Sequence, residues 1–146
     1  MVATDADPFY RVDRRTGRQR AMPVIYKICP RALWREAEEA GRFAGAPVDK
    51  ADGFIHFSTA DQVAETAARH FAGVPDLLLI GIEAGALGEA LRYEPSRGGA
   101  LFPHLYGDLP LDAVISVTEL PIGPDGRHVF QADLISSASP ATGASV

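Results

Sequence analysis

The central segment DLLLIGIEA, residues 76–84, is apolar on both faces over most of its length. A strand of this composition is usually covered by a layer on each side, so the segment is predicted to lie in the middle of a sheet. The segments VIYKI (24–28), EALRYEP (89–95), AVISVTELP (113–121) and RHVFQADLI (127–135) have the composition of further strands, the last of them at an edge.

Two helices are predicted before the central segment. PRALWREAEEAG (30–41) has Pro30 in its first turn and Gly41 as its stop, and TADQVAETAARHF (59–71) has an apolar stripe. Ser58 and Asp61 have the spacing of a capping box at the start of the second helix. Residues 42–53, between the first helix and the strand that precedes the second, are predicted to be a loop.

Helices early and strands late indicate an α+β fold with a mixed or antiparallel sheet. A doubly wound nucleotide-binding fold is disfavoured because the later strands have no crossover helices between them. Residues 23–135 are expected to form a single domain. Residues 1–22 are predicted to be a poorly ordered Arg-rich arm, and residues 136–146 a disordered tail.

The composition excludes several classes of protein. The net charge of -5 gives no general nucleic-acid signature, so no DNA partner is expected, and support for RNA is weak. No window is long and apolar enough to span a bilayer, and the N-terminus lacks the apolar core of a signal peptide. The single cysteine, Cys29, favours a reducing compartment, so a cytoplasmic location and no membrane partner are predicted.

The stretch DGFIHFSTADQV, residues 52–63, places polar groups where a strand is expected to lead into a helix. Alternation in a strand would direct Ile55 and Phe57 to one face, and His56 and Ser58 to the other. Ser58 or the neighbouring Thr59 could bind a ligand there, but capping a helix would explain either residue equally well.

Four segments carry polar side chains that a core does not require: IYKI, HFST, RYEPSRGGA and LFPHLYGDLP, the last predicted to be a proline-restricted loop. The catalytic candidates among them are His56, Glu94 and His104. The ligand-binding candidates are Tyr26, Lys27, Ser58, Thr59, Arg92, Arg97 and Tyr106. No metal site is predicted, because the two histidines and the glutamate come from separate segments that no motif links.

Several stretches together resemble one bacterial family, known as domain of unknown function 952. They are DGFIHFSTADQV, ARHFAG, LRYEPSRGGALFPHLYG and LPLDAV, and the resemblance runs from about Ile25 to about Leu120. It implies a fold similar to that of ADP-ribosyltransferases and tRNA 2′-phosphotransferases, in which a split, mixed sheet holds a nicotinamide-dinucleotide cleft.

By this resemblance, Tyr26 or Lys27 would take the position that contacts the ribose from an early strand. The turn from His56 to Thr59 would take the second position. Candidates for the third, which orients the ribose or the acceptor, are Glu94, His104 and Glu119.

Three hypotheses about function follow. The resemblance implies a cytoplasmic enzyme with an ADP-ribosyltransferase-like cleft that acts on a nucleotide or phosphorylated ribose, with NAD as a possible substrate. Alternatively, His56 and His104 act as acid and base on a small metabolite, because histidine is the residue type whose ordinary pKa lies near neutral pH. The third alternative is a non-enzymatic module that binds a small molecule or a peptide.

Overall fold

The computed structural model describes residues 10–12, 19–21, 24–96 and 99–130. The strands are β1 Tyr10–Val12, β2 Gln19–Ala21, β3 Val24–Pro30, β4 Arg42–Phe43, β5 Ile55–His56, β6 Ser58–Thr59, β7 Leu77–Glu83, β8 Leu91–Pro95, β9 Leu101–Leu105, β10 Leu109–Pro110 and β11 Val114–Leu120. The α-helices are α1 Arg31–Ala40, α2 Pro47–Asp52 and α3 Val63–His70, and 3₁₀ segments cover Ala84–Ala90 and Leu111–Ala113.

The largest sheet has the strand order β11-β7-β3-β6, and all of its pairs are antiparallel. Strand β7 pairs along its full length with β3 on one side and is bordered by β11 on the other. All of its residues from Leu77 to Ile82 are buried. The predicted central strand and the α+β class are therefore confirmed, with antiparallel pairing throughout this sheet.

Strand β7 is apolar on both faces because each face contacts a different layer. Leu78, Ile80 and Ile82 join a cluster with Trp34 of α1, whereas Leu79 packs with residues of α3 in a second cluster. The two helices thus cover opposite faces of the sheet, which is the arrangement that favours apolar residues at successive strand positions.

A second sheet has three strands in the order β5-β9-β8, again with antiparallel pairs. The HFST stretch connects it to the larger sheet. His56 pairs with His104 of β9, and only two residues later Ser58 pairs with Tyr26 of β3. Between them, the backbone N–H of Phe57 donates a hydrogen bond of 3.0 Å to the carbonyl of Pro103. The chain therefore passes from one sheet to the other at Phe57.

Three predictions about the elements near HFST were wrong. The second helix begins at Val63 rather than at Thr59, because Ser58 and Thr59 pair with β3. The capping box does not form: Gln62 is the N-cap, and the Ser58 hydroxyl lies 2.8 Å from that of Thr66. The expected loop over 42–53 contains the short strand β4 and the helix α2.

The expected loop LFPHLYGDLP also differs, since its first five residues form β9. Pro103 has no N–H to donate, and it joins the sheets through its carbonyl. Of the predicted last strand, the described residues form only a single bridge, between Ile122 and His128; residues 131–135 lie outside the described part.

The predicted N-terminal arm contributes the antiparallel pair β1–β2. The remaining residues of the arm, and the whole predicted tail, lie outside the described residues. None of the helices in the described ranges has the length and apolar character that crossing a bilayer requires.

Candidate functional site

A cleft of about 620 Å³ opens where the two sheets meet. One wall is formed by β3, β6 and α3, and the other by β5, β9 and α2. The lining residues include Tyr26, Lys27, Ile28, Val48, Asp52, His56, Phe57, Ser58, Thr66, His70, Phe71, Ser96, Phe102 and His104. The volume lies within the range of small-molecule sites. Polar and charged side chains outnumber the apolar ones in the lining.

His56 is held between two carboxylates of α2. Its Nδ1 lies 2.6 Å from Asp49 Oδ1, and its Nε2 lies 2.9 Å from Asp52 Oδ2. Both ring nitrogens thus face carboxylate oxygens, and only the imidazolium form could donate to both at once. The backbone N–H of His56 also donates to Asp49 Oδ1, at 3.1 Å, which fixes the strand relative to the helix.

Asp49 is the fixed centre of this cluster. Its carboxylate accepts hydrogen bonds from His56, from Lys27 and, at 2.8 Å, from the backbone N–H of Ala46 at the start of α2. Burial by itself would raise the pKa of Asp49, but the bond from His56, the Lys27 charge and the Ala46 N–H outweigh it and lower the pKa to about 2. The carboxylate is therefore ionised at any physiological pH.

Lys27, a predicted ligand-binding residue, is buried and turned towards this cluster. Its Nζ lies 3.1 Å and 2.9 Å from the two oxygens of Asp49 and 2.9 Å from the carbonyl of His56. Burial lowers the pKa of Lys27 despite the opposing effect of Asp49. An ammonium group has three hydrogens, and three protein oxygens surround this one, so Lys27 lines the cleft as a support for Asp49 and His56.

His104 has its own carboxylate partner. Its Nδ1 lies 2.8 Å from Glu94 Oε1, the same oxygen to which the Tyr106 hydroxyl donates at 2.8 Å. The bonds from His104 and Tyr106 lower the pKa of Glu94. Phe54 stacks on the His104 ring with 4.2 Å between centroids, which fixes the plane of the imidazole.

The sheet register brings the two histidines together. His56 and His104 are directly paired on β5 and β9, so their side chains share one face, and their ring centroids are 5.5 Å apart. Each ring has a carboxylate at Nδ1. In the described part of the chain, His104 Nε2 has no hydrogen-bond partner within the protein. The cleft therefore presents two oriented imidazoles to one ligand.

The other predicted residues lie at different distances from the cleft. Ser58 and Tyr26 line it, whereas Thr59 does not. The backbone N–H of Thr59 donates a hydrogen bond of 3.0 Å to Oε1 of Gln62. The guanidinium of Arg92 lies 5.1 Å from the centre of the Tyr106 ring, and neither residue is among those that line the cleft.

Two predicted residues take no part in the described site. Glu119 lies on β11, where it forms an exposed ion pair of 3.2 Å with Arg31. Arg97 lies outside the described residues. Within the described ranges, no group of three or more His, Cys, Asp or Glu side chains is placed to hold a metal ion.

Comparisons with known proteins give one family and one group of solved structures. Residues 28–117 match the family described as "Protein of unknown function (DUF952)". This chain belongs to the DUF952 family. The comparison with curated proteins gives no match.

The solved structures similar to this DUF952 chain are of protein CC0527 from Caulobacter crescentus. The X-ray crystal structure is 47% identical, with a TM-score of 0.74, and the match covers 77% of this chain and 98% of that one. The solution NMR structure is 50% identical, with a TM-score of 0.66, and the match covers 71% and 90% of the two chains.

The DUF952 match contains the residues that sequence reasoning missed. Asp49 and Asp52 are not among the predicted site residues, because the sequence predicts a loop over 42–53. The sequence did carry a signal: Pro47 at the first position of a helix, an acid two residues later and Gly53 just past the end are typical of a short helix. Thr66, His70 and Phe71 also line the cleft, although the sequence predicts only a helix for this segment.

Proposed function

We propose that this protein is an enzyme that uses His56 and His104 as an acid–base pair on a small organic molecule. The observation that carries the proposal is the pairing of these two imidazoles, 5.5 Å apart, on one wall of a cleft. Each is oriented by a carboxylate, as in sites where histidine moves protons. The class of reaction is a lyase, isomerase or cyclase reaction, in which one proton is removed and another is delivered.

The two histidines suit different halves of such a reaction. The Glu94 carboxylate accepts a hydrogen bond from His104 Nδ1, which leaves the Nε2 lone pair to accept a proton from the substrate. His56 contacts Asp49 through Nδ1 and Asp52 through Nε2, and it delivers the Nε2 proton to a substrate oxygen that takes the place of Asp52. The contact with Glu94 keeps His104 in the useful tautomer, so Glu94 is a positioning residue.

The test is a search for turnover followed by a pair of matched variants. The full-length protein is incubated with mixtures of small metabolites, and the mixtures are followed by NMR. We expect a substrate whose conversion has a bell-shaped pH profile and falls about 10²- to 10⁴-fold in His104→Gln. His128→Gln is the control, because His128 lies outside the cleft and bonds the carbonyl of Val74 at 2.9 Å.

Two outcomes would contradict the proposal. If His104→Gln converts the substrate as fast as the wild type, His104 is not the base. If every ligand that binds is recovered unchanged, the cleft belongs to a binding module for a small molecule or a peptide.

A second candidate is a transferase with an ADP-ribosyltransferase-like fold, located in the cytoplasm and acting on NAD or another nucleotide. The resemblance of the sequence supports it, as does the opening of the cleft at the point where HFST passes from one sheet to the other. Lys27 is already surrounded by protein oxygens and Arg92 is not among the described residues that line the cleft, so neither cation is placed there for a pyrophosphate. For this reason the acid–base function ranks first.

Thermal-shift titrations with NAD, ADP-ribose, nicotinamide and AMP test the second candidate. A ligand at a hundredfold excess over its Kd stabilises the native state by about 2.7 kcal/mol. A shift with NAD or ADP-ribose that weakens with salt and disappears in His56→Ala would favour the transferase. No shift with any of the four would rule out nucleotide binding by this cleft.

A further inference from the structure

The two carboxylates that contact His56 differ in how firmly they are held. The Asp49 side chain is 1% exposed and is fixed by Lys27, Ala46 and His56. The Asp52 side chain is 47% exposed and lies at the end of α2. Within the described residues, its single ion pair is the one with His56. Asp52 can therefore leave His56 by side-chain rotation, whereas Asp49 cannot.

The charges of this cluster balance only while Asp52 is in place. When His56 donates to both carboxylates, it and the Lys27 ammonium carry two positive charges, which face the two negative charges of Asp49 and Asp52. Rotation of Asp52 into solvent leaves one positive charge and one N–H of His56 without an acceptor. A partly buried charge without a partner is costly, so an anionic oxygen of a ligand would be stabilised at this position.

We propose that the ligand of this cleft carries an anionic oxygen group, a carboxylate or a phosphate ester, which replaces Asp52 at His56 Nε2. In the structure, Asp52 occupies the position of that group. Phe57, Phe71 and Phe102 line the same cleft and would contact an apolar part of the ligand. This inference concerns the cleft of the proposed function and names the chemical class of its substrate.

The experiment uses three aromatic probes that share a ring and differ in their polar group: benzoate, phenyl phosphate and benzamide. Each is titrated into the full-length protein while the histidine ring resonances are followed by NMR, with the His56 signal assigned by its loss in His56→Gln. Asp52→Asn removes the charge and keeps the shape, and Asp52→Ala also removes the acceptor. Asp112→Asn is the control, because Asp112 is exposed and lies outside the cleft.

We expect benzoate or phenyl phosphate to shift the His56 resonance and to bind roughly fivefold more tightly to both Asp52 variants, because an exposed ion pair no longer competes. Asp112→Asn should bind like the wild type. Tighter binding of benzoate would identify a carboxylate ligand, and tighter binding of phenyl phosphate a phosphate ester. Three outcomes would overturn the proposal. Benzamide could bind as tightly as the two anions, or the anions could bind without shifting the His56 resonance. The third is that neither Asp52 variant binds the anions more tightly than the wild type does.

The result is separable from the test of the proposed function. If anions bind at His56 but turnover survives in His104→Gln, the acid–base function fails and the ligand class stands. If turnover is lost in His104→Gln but no anion competes with Asp52, the acid–base function stands and the ligand class is wrong.

Discussion

At the scale of single residues, two ion pairs of similar length can be compared, because one is buried and the other is exposed. The Lys27–Asp49 pair is buried, with 2.9 Å between Nζ and Oδ2, and the Arg42–Asp108 pair is exposed, with 2.7 Å between Nε and Oδ2. Distance alone would predict that the two pairs contribute equally to stability. Burial separates them, because removing one partner of a buried pair leaves an uncompensated charge away from water.

Replacing Asp49 by Ala should therefore cost about 3–5 kcal/mol in the free energy of unfolding, since Lys27 would remain buried without its carboxylate. The matched change Asp108→Ala should cost at most about 1 kcal/mol, because its partner stays hydrated. Urea denaturation of the two variants measures the difference. Equal losses would show that Asp49 does not hold the cluster together.

At the scale of elements, helix α2 is placed by a glycine on each side. Gly45 has a φ of 113° and Gly53 a φ of 89°, a region that other residues enter only with strain. The two positions differ in their surroundings. A Cβ at Gly45 would lie 2.9 Å from the Cβ of Asp49, whereas a Cβ at Gly53 would meet no atom within 4 Å.

This difference predicts unequal costs for the same substitution. Gly53→Ala should lower the free energy of unfolding by about 1 kcal/mol, from backbone strain alone. Gly45→Ala adds a steric clash with Asp49 and should cost about 3 kcal/mol. It should also shift the NMR resonance of the His56 ring, which Gly53→Ala should leave in place. A His56 signal unchanged in Gly45→Ala would argue that α2 does not position this histidine.

At the scale of the whole molecule, the buried cluster links folding to pH. The pKa of Asp49 is about 2 in the folded protein and 3.8 in its ordinary state, so the folded state favours the ionised form. The resulting stabilisation is fully present above pH 3.8 and is lost as the pH falls towards 2. It amounts to roughly 2 kcal/mol.

The free energy of unfolding should therefore fall between about pH 4 and pH 2 more steeply in the wild type than in Asp49→Asn. Chemical denaturation at a series of pH values measures both slopes. Asp108→Asn serves as the control and should keep the slope of the wild type. Parallel curves for the wild type and Asp49→Asn would mean that other carboxylates cause the acid sensitivity.

The sequence alone determined the elements whose signals are local. The segment 76–84 is apolar on both faces, and it forms the strand between α1 and α3. Helix α1 runs from Arg31 to Ala40 and is capped by Gly41, as its proline and glycine predicted. Alternation in the strand predicts Ile55 and Phe57 on one face and His56 and Ser58 on the other. His56 and Ser58 line the cleft, but so does Phe57, where the chain passes between the sheets.

The tertiary structure decided which side chains meet. Ser58 and Thr59 have the chemistry of helix caps, but pairing with β3 made them a strand. His104 was expected in a loop, and it became the partner of His56 because β9 pairs with β5. No sequence pattern around Asp49 predicts that its carboxylate accepts four hydrogen bonds. These contacts join segments that are far apart in the chain. Local propensity does not show which distant group will accept a given hydrogen bond or pair with a given charge.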